Sequence, residues 1–591
     1  MVSELSGAEP GARVAQQRAL AVLRVRNLAL ALALLPAAVA VVLLAANATE
    51  RIGGPVWDAV RWTFVLAGIV ALAFATVVGA LIIRAEPAVS PTVAVPERTA
   101  PDLYRLVREL SHRLDVPAPS AIALTPDCDS WLEDRSHATR RLFAAPRPAG
   151  GDSTRPPVLV IGSPFLWWMR VAELRAVLAP VVAGTGLSAH PDVAAARRFV
   201  RGLDAAVAVA ATRSALTLVS WAARTMLREC RDHAAEMERG AASAASARAQ
   251  TVDYGRRIVA QEQVGLAYAG WDRLLTRVAL PAWQMGRWPS RLDAGVVSAL
   301  TELSRRDRLA EGYASRLGER PACDLLEEPG LVDEAASLLA ARLFHGGPAE
   351  PGPGWAPVGW DAYPEDVVDR KWRLEAARLH AVLDEITAAR ASERPPAEGP
   401  GAGAESARPG PSVPGPTLDR VMAALAADPA TARAEPGAGS RDPSAPDGDD
   451  DAYPCREDLV SAAGARVGSA IASRIADEDA AAGRGRSAPS AVAKAGDLDG
   501  CVPLFPLQPE RTVRELLAEH VTAMVCCAAM DTAGAQPGLD WLDGPVLRLR
   551  DGRSAGLGDA VGSLVEDGDA GPLRDWLAGP GVRTDKPVRL V

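Results

Sequence analysis

Residues Pro157–Gly184 read PVLVIGSPFLWWMRVAELRAVLAPVVAG, and this stretch decides the fold class. Pro157 to Ile161 is a short apolar run rich in β-branched residues, the pattern of a buried strand. Gly162, Ser163 and Pro164 make a turn. A helix is then predicted from about Phe165 to Ala183, with apolar residues almost all the way round, so it belongs in a core. A buried strand feeding a buried helix requires layered packing, and the expected class is mainly α with a small β-sheet, α+β.

Upstream, Leu103, Leu106, Val107, Leu110 and Leu114 recur at helical spacing, which predicts an amphipathic helix from Pro101 to about Val116. Ser120 to Thr125 alternates enough to be a strand. Farther toward the N-terminus lie Leu28 to Ala46, 19 residues without a charge, and Trp62 to Ile83, 22 residues without one. Each is long enough to cross a hydrocarbon core of roughly 30 Å as a helix. Pro36 is compatible with a bilayer helix, and Trp57 and Trp62 suit the headgroup level. A signal peptide with Ala46-Asn47-Ala48 as its cleavage site is the rival reading, against an apolar run longer than the usual signal core. Arg13, Arg18, Arg24 and Arg26 precede the first span, whereas the short connection holds only Arg51 and Arg61 beside Glu50 and Asp58. The expectation is a multi-pass protein of the cell membrane with the N-terminus and the large domain cytoplasmic.

Downstream, helical patterns run from Val193 to Gln250, from about Asp253 to Arg316 with breaks at Pro281 and Pro289, from Leu331 to Leu343 and from Pro364 to Ala391. Ser392 to Ala452 is rich in Pro, Gly, Ala, Ser and acids, ends in Asp447-Gly448-Asp449-Asp450-Asp451, and reads as a flexible linker with helical pattern only at Thr417 to Ala427. The expected order is a cytoplasmic segment 1–27, spans 28–46 and 62–83 joined by an external loop 47–61, a large domain 84–391, a linker 392–452 and a small α+β module 453–591.

Net charge is -9, which argues against a nucleic-acid surface. Only three of the 64 basic residues are Lys, a bias that fits a high-GC genome and gives no phosphate-binding signal. The seven cysteines are scattered without a CxxC, so a disulfide scaffold or zinc ribbon is not expected. Cys526-Cys527 sits in an apolar helical run, where thiols act as small hydrophobes. No GxSxG, Walker or GxGxxG loop stands at a strand-to-helix junction.

The order helix, strand, strand, helix around Glu173-Leu174-Arg175-Ala176-Val177-Leu178-Ala179 resembles family forty-eight of the metallopeptidases, the membrane zinc proteases of HtpX and CAAX prenyl protease type. In that family the same text runs directly into HExxH, and a similar buried strand precedes it. Leu124-Thr125-Pro126 matches a further typical stretch, and the likeness covers roughly Pro101 to Ala391. The resemblance implies a zincin-like gluzincin domain behind two N-terminal spans, and zinc as cofactor in active relatives.

In HExxH two imidazoles one helical turn apart hold zinc while the Glu activates its water. In register, those five positions are Pro180, Val181, Val182, Ala183 and Gly184, so both imidazoles and the base are lost. The resemblance places the third ligand at Ala234, with Glu236 in place of the family Asp, and the His of a WDSHPP motif at Tyr363, between Trp360-Asp361 and Pro364. No two of the seven histidines lie within a helical turn of each other. An alternative metal set is His190, Cys230, His233 and Glu236, competing with a solvated helix face. The expectation is therefore a non-catalytic homologue without cofactor that binds a peptide or protein partner, including an active paralogue, at the membrane. The rivals are an active zinc endopeptidase with displaced ligands and a structural protein of a membrane assembly.

Overall fold

A computed structural model describes residues 10–49, 54–84, 89–135, 156–211, 213, 216–250, 252, 254–306, 319–348, 350–392, 415–426, 460–486, 507 and 511–590. The protein is mainly helical with small sheets, and its chain divides into two compact units. The first comprises residues 1–269, 304–339 and 494–496; the second comprises 270–303, 340–493 and 497–591.

The first unit begins with α1 (Pro10–Ala48) and α2 (Pro55–Arg84). Among the described residues four helices are long and apolar enough to cross a membrane. Only 6% and 11% of the apolar stretches of α1 and α2 are buried, against 50% and 67% for those of Val171–Ser188 and Val513–Ala533. The last two are therefore core helices, while α1 and α2 present exposed Leu28, Leu32, Leu35, Phe64, Leu66 and Ile69 to their surroundings, as membrane helices do.

A four-stranded sheet follows, built from β1 (Val93–Val95), β2 (Ala121–Thr125), β3 (Trp131–Glu133) and β4 (Val158–Gly162) in the order β1-β2-β4-β3. β2 and β4 pair in parallel, Ala121 opposite Val158, and the outer strands are antiparallel to them. A parallel central pair is buried on both faces, which is why β4 reads as an unbroken apolar run. The connection between β2 and β4 leaves β3 at an edge. α3 (Pro101–Arg113) precedes β2, its Leu103, Leu106, Val107 and Leu110 forming the buried stripe that periodicity predicts.

The helix expected from Phe165 to Ala183 is two helices, α4 (Ser163–Trp168) and α5 (Val171–Ser188). Met169 and Arg170 between them are extended, and their backbone groups are satisfied across the chain: Ala322 N–H donates to Met169 O at 2.9 Å and Val171 N–H to Arg320 O at 3.0 Å. An outside segment that supplies hydrogen bonds makes a helix break affordable, and no local residue announces it. The run expected from Val193 to Gln250 is likewise a hairpin of α6 (Pro191–Ala211) and α7 (Thr217–Ala249). α7 packs against α1, α6 and α5, and forms the spine of this unit with α1. A Cβ on Gly240 would lie 2.9 Å from both Ala15 N and Gly11 O, and one on Gly11 would lie 2.7 Å from Gly240 O. The two backbones touch there, in the small-residue mode by which closely crossing helices pack.

α8 (Tyr254–Arg273) leads into the second unit, where a π-helical turn (Leu274–Ala279) and α9 (Leu280–Gln284) follow. Pro289, expected to interrupt helix, ends β5 (Arg287–Pro289), which pairs in parallel with a later β6 (Ala356–Val358); proline is accommodated in a strand that lacks a second neighbour. α10 (Asp293–Arg306) and α11 (Pro329–His345) precede β6. The helix expected from Pro364 to Ala391 opens as a π-helical turn (Pro364–Asp369) and continues as α12 (Arg370–Ser392).

Most of the expected linker, including Asp447 to Asp451, lies outside the described residues. Its one helical pattern is α13 (Leu418–Leu425), whose Leu418, Val421, Met422 and Leu425 are all buried. α14 (Ala462–Arg486), α15 (Val513–Ala533), the hairpin β7 (Gln536–Asp540) and β8 (Gly544–Arg548), α16 (Gly558–Glu566) and α17 (Gly571–Ala578) complete the chain. α12 packs on α15, so residues 340–391 share a compact unit with the C-terminal module and the division does not fall at the linker.

Gly240→Leu should separate α1 from α7 and lower stability by about 1–3 kcal/mol, the usual cost of overpacking. Thermal unfolding of the full-length protein in detergent checks this, with exposed Arg239→Leu as the variant expected to change little.

Candidate functional site

α5 carries Pro180, Val181 and Gly184, and all three are partly exposed while Leu178, Ala179, Val182, Ala183 and Thr185 are buried. They share one side of the helix by spacing. A Cβ on Gly184 would stand 3.3 Å from Leu132 Cδ1, so this side of α5 lies against edge strand β3. Glu173 of the ELRAVLA text serves the helix itself: its Oε2 accepts from Arg170 N–H at 2.9 Å in the first turn. Trp167 and Trp168 are both buried, and Trp168 Nε1 donates to Gln263 Oε1 at 3.0 Å.

Ala234 is partly buried on α7, the helix that packs against α5. Tyr363 belongs to the second compact unit. It is fully buried, and its hydroxyl donates to Val278 O at 2.5 Å; burial pushes its phenol pKa up. Trp360 packs against Tyr363 and against Trp541, with ring centroids 5.7 and 4.9 Å away. The Trp360-Asp361-Ala362-Tyr363 stretch is thus part of an aromatic core.

The alternative metal set is not assembled. Cys230 faces inward into an apolar cluster with Ala19, Val22, Leu23, Val193, Ala196 and Met237. Burial, helped by Glu229, raises its thiol to about 11, whereas metal ligation needs the thiolate. His233 and Glu236 turn to α1: Arg18 makes an ion pair with Glu236 at 2.5 Å and lies 3.3 Å from His233 Nδ1. His190 precedes α6 and accepts, through its carbonyl, from Ala194 N–H at 2.9 Å. Among the described residues no three His, Cys, Asp or Glu side chains gather as a metal site requires.

Sequence reading missed a buried polar seam in the second unit. Lys371 on α12 donates to Glu375, and to Glu519 on α15 at 2.9 Å, while Arg511 pairs with Glu519. Two residues on, Arg373 donates to Asp369 at 3.0 Å, to Asp531 at 3.1 Å and to Arg589 O at 2.6 Å. Burial opposes the charge on Lys371, but Glu375 and Glu519 hold its pKa above the ordinary value. Glu519 is held low against burial by Lys371 and Arg511, whereas burial lifts Glu375 to about 7. His380 and His520, close by in sequence, are both buried and lowered to about 4, chiefly by that burial. The only prior signal was the i, i+4 spacing of Lys371 with Glu375 and of Asp369 with Arg373. These groups join α12 to α15. No protein-family model, no curated protein and no solved structure matches this chain.

Tyr363→Phe leaves the Val278 carbonyl without its donor and should cost about 1–3 kcal/mol in urea unfolding. The two histidines predict an acid-sensitive second unit. Their folded values lie below the unfolded one, so their contribution is complete above about pH 6.5 and is lost as pH falls toward 4, on the order of 3 kcal/mol for each imidazole. Glu375 acts oppositely, since its raised value favours the folded state as pH falls from about 7. His380→Leu with His520→Leu should flatten or reverse the fall of unfolding free energy between pH 6.5 and 4; an unaltered slope would show that neither imidazole is suppressed.

Proposed function

We propose that this protein is a membrane-anchored homologue of the HtpX and CAAX prenyl protease type metallopeptidases that has lost its zinc site and acts by binding a peptide or protein segment. The observation that supports this reading is the side of α5 that faces β3, where Pro180, Val181 and Gly184 stand at the positions that the resemblance assigns to the two histidines and the base. None of the three can ligate a metal or move a proton. The arrest of the alternative ligands by Arg18 and by the apolar cluster around Cys230 supports the same reading. Zinc has no place in this mechanism, and the zincin-like fold of the domain is part of the proposal.

β3 lies at the edge of the sheet and its three residues are partly exposed. An extended segment laid along this edge would gain main-chain hydrogen bonds, and β3 would hold it without any group poised to cut. The domain faces the cytoplasm in this proposal, as the basic residues before the first span suggest, so the partner is a segment presented at that membrane face. An active paralogue or a membrane substrate fits that description.

Elemental analysis of the purified full-length protein tests the loss of zinc. The expected result is strongly substoichiometric zinc, unchanged by His233→Ala. Stoichiometric zinc that disappears in His233→Ala would sink the proposal and favour an active endopeptidase with displaced ligands.

A further inference from the structure

We propose that the α6–α7 hairpin dips into the bilayer crossed by α1 and α2, so that the ends of its two arms, Ala205–Ala211 and Leu216–Ala223, are re-entrant and in contact with lipid acyl chains. Neither arm was read as a membrane segment from hydropathy, and this inference is independent of the zinc question.

The register of α7 against α1 sets the depth. Gly11 meets Gly240, Ala15 meets Gly240, and Arg18 pairs with His233 and Glu236, so the two helices run antiparallel. Continued along both axes, this register brings Trp221 abreast of Leu32 and Leu218 abreast of Leu35. With a rise of 1.5 Å per residue, Trp221 lies roughly 6 Å and Leu218 roughly 10 Å past the level of Leu28, where the uncharged run of α1 begins. The other arm agrees. A Cβ on Gly202 would lie 2.8 Å from Ile82 Cγ2, which places Gly202 beside the domain-side end of α2. Ala211 lies nine residues farther toward the turn, roughly 13 Å along the helix. α2 is itself antiparallel to α1, Gly68 lying against Ala37, a register that brings Ile82 abreast of Leu23 and so leaves Ala211 roughly 6 Å past the level of Leu28.

Chemistry follows depth. From Ala205 to Ala223 the chain carries one charge, Arg213, with exposed Asp204 and Arg224 flanking the stretch. Leu218 and Trp221 are 71% and 64% exposed, abreast of α1 residues Leu32 and Leu35 that are themselves exposed. Val219, Ser220 and Ala223 on the other side of α7 are buried. The helix therefore has a packed face and an apolar face open to its surroundings, at the level where α1 has the same. Each arm contributes only about 10 Å of uncharged helix, far short of the roughly 30 Å needed to span. A shallow re-entrant hairpin fits that length, and the long stem of Arg213 lets its guanidinium reach back toward the phosphate layer.

The full-length protein in phospholipid nanodiscs, carrying a nitroxide at Leu218→Cys or Trp221→Cys with Cys323, Cys455 and Cys501 replaced by Ser, tests the proposal. Accessibility to oxygen should exceed accessibility to a water-soluble nickel chelate several-fold relative to Arg239→Cys, and more at 218 than at 221. Nickel accessibility equal to that of Arg239→Cys would overturn the proposal in favour of an aqueous surface. Labels shielded from both reagents would overturn it in favour of a protein contact, such as a second copy of the chain. The unaltered protein gives an independent reading: a phospholipid with a diazirine in its acyl chain should modify the peptide around 216–223 as it modifies α1, and a clean peptide there would refute lipid contact.

Discussion

The close crossing of α1 and α7 is the constraint on which the first unit depends. α1 has 39 residues, which makes it about 58 Å long, roughly twice the thickness of a hydrocarbon core. A continuous helix of that length must leave the bilayer and go on through water, where its apolar residues need cover. Ala15, Ala19, Val22 and Leu23 find it against α6 and α7. Arg18 then pairs with Glu236 beside that seam and contributes register more than stability, since a half-exposed ion pair adds little. The exposed apolar stretch long enough to cross a membrane and the segment packed in the domain core thereby belong to one continuous helix.

Small residues make this possible on both sides of the boundary. Lipid tails offer no hydrophobic drive between helices, so spans associate by close van der Waals contact, which Gly68 against Ala37 provides. Gly11 against Gly240 uses the same device outside the bilayer, with Ala241, Ala244 and Ala245 buried beside it. Along α7, alanine and glycine are the material of the packing. A larger side chain there would be helical and hydrophobic enough, and still fail for want of space.

Much of the scaffold was legible because its signals are local. β2, β4 and α3 fall within a residue or three of their expected bounds, since burial on two faces or one leaves its period in the sequence. Length and charge likewise sufficed for α1 and α2. What escaped was what depends on distant partners. The break at Met169 and Arg170 rests on hydrogen bonds from residues some 150 positions away, and the docking of α13 rests on apolar neighbours drawn from four other helices. Arg18 looked like a topogenic charge before the first span, and nothing near it announced His233 and Glu236. At the candidate site the identities of Pro180, Val181 and Gly184 were plain, but their placement against β3 was not, and Tyr363 took its meaning from an aromatic core in the other unit.

Under the proposed register, the packing around α5 bears on how a helix without zinc ligands is accommodated. A vacant metal site with its neighbours unchanged would leave room for imidazoles. Here a single carbon added at Gly184 would stand 3.3 Å from Leu132 Cδ1, so a larger residue there requires that leucine side chain to give way. Pro180, inside the helix, removes the backbone donor that would have reached Ala176 and crowds the preceding turn. Pro180, Val181 and Gly184 put no ionisable group on the side of α5 that faces β3, so nothing there needs a polar partner. Among the described residues β3 pairs with β4 alone, and its other edge is the part of the arrangement that the proposed binding without cleavage requires.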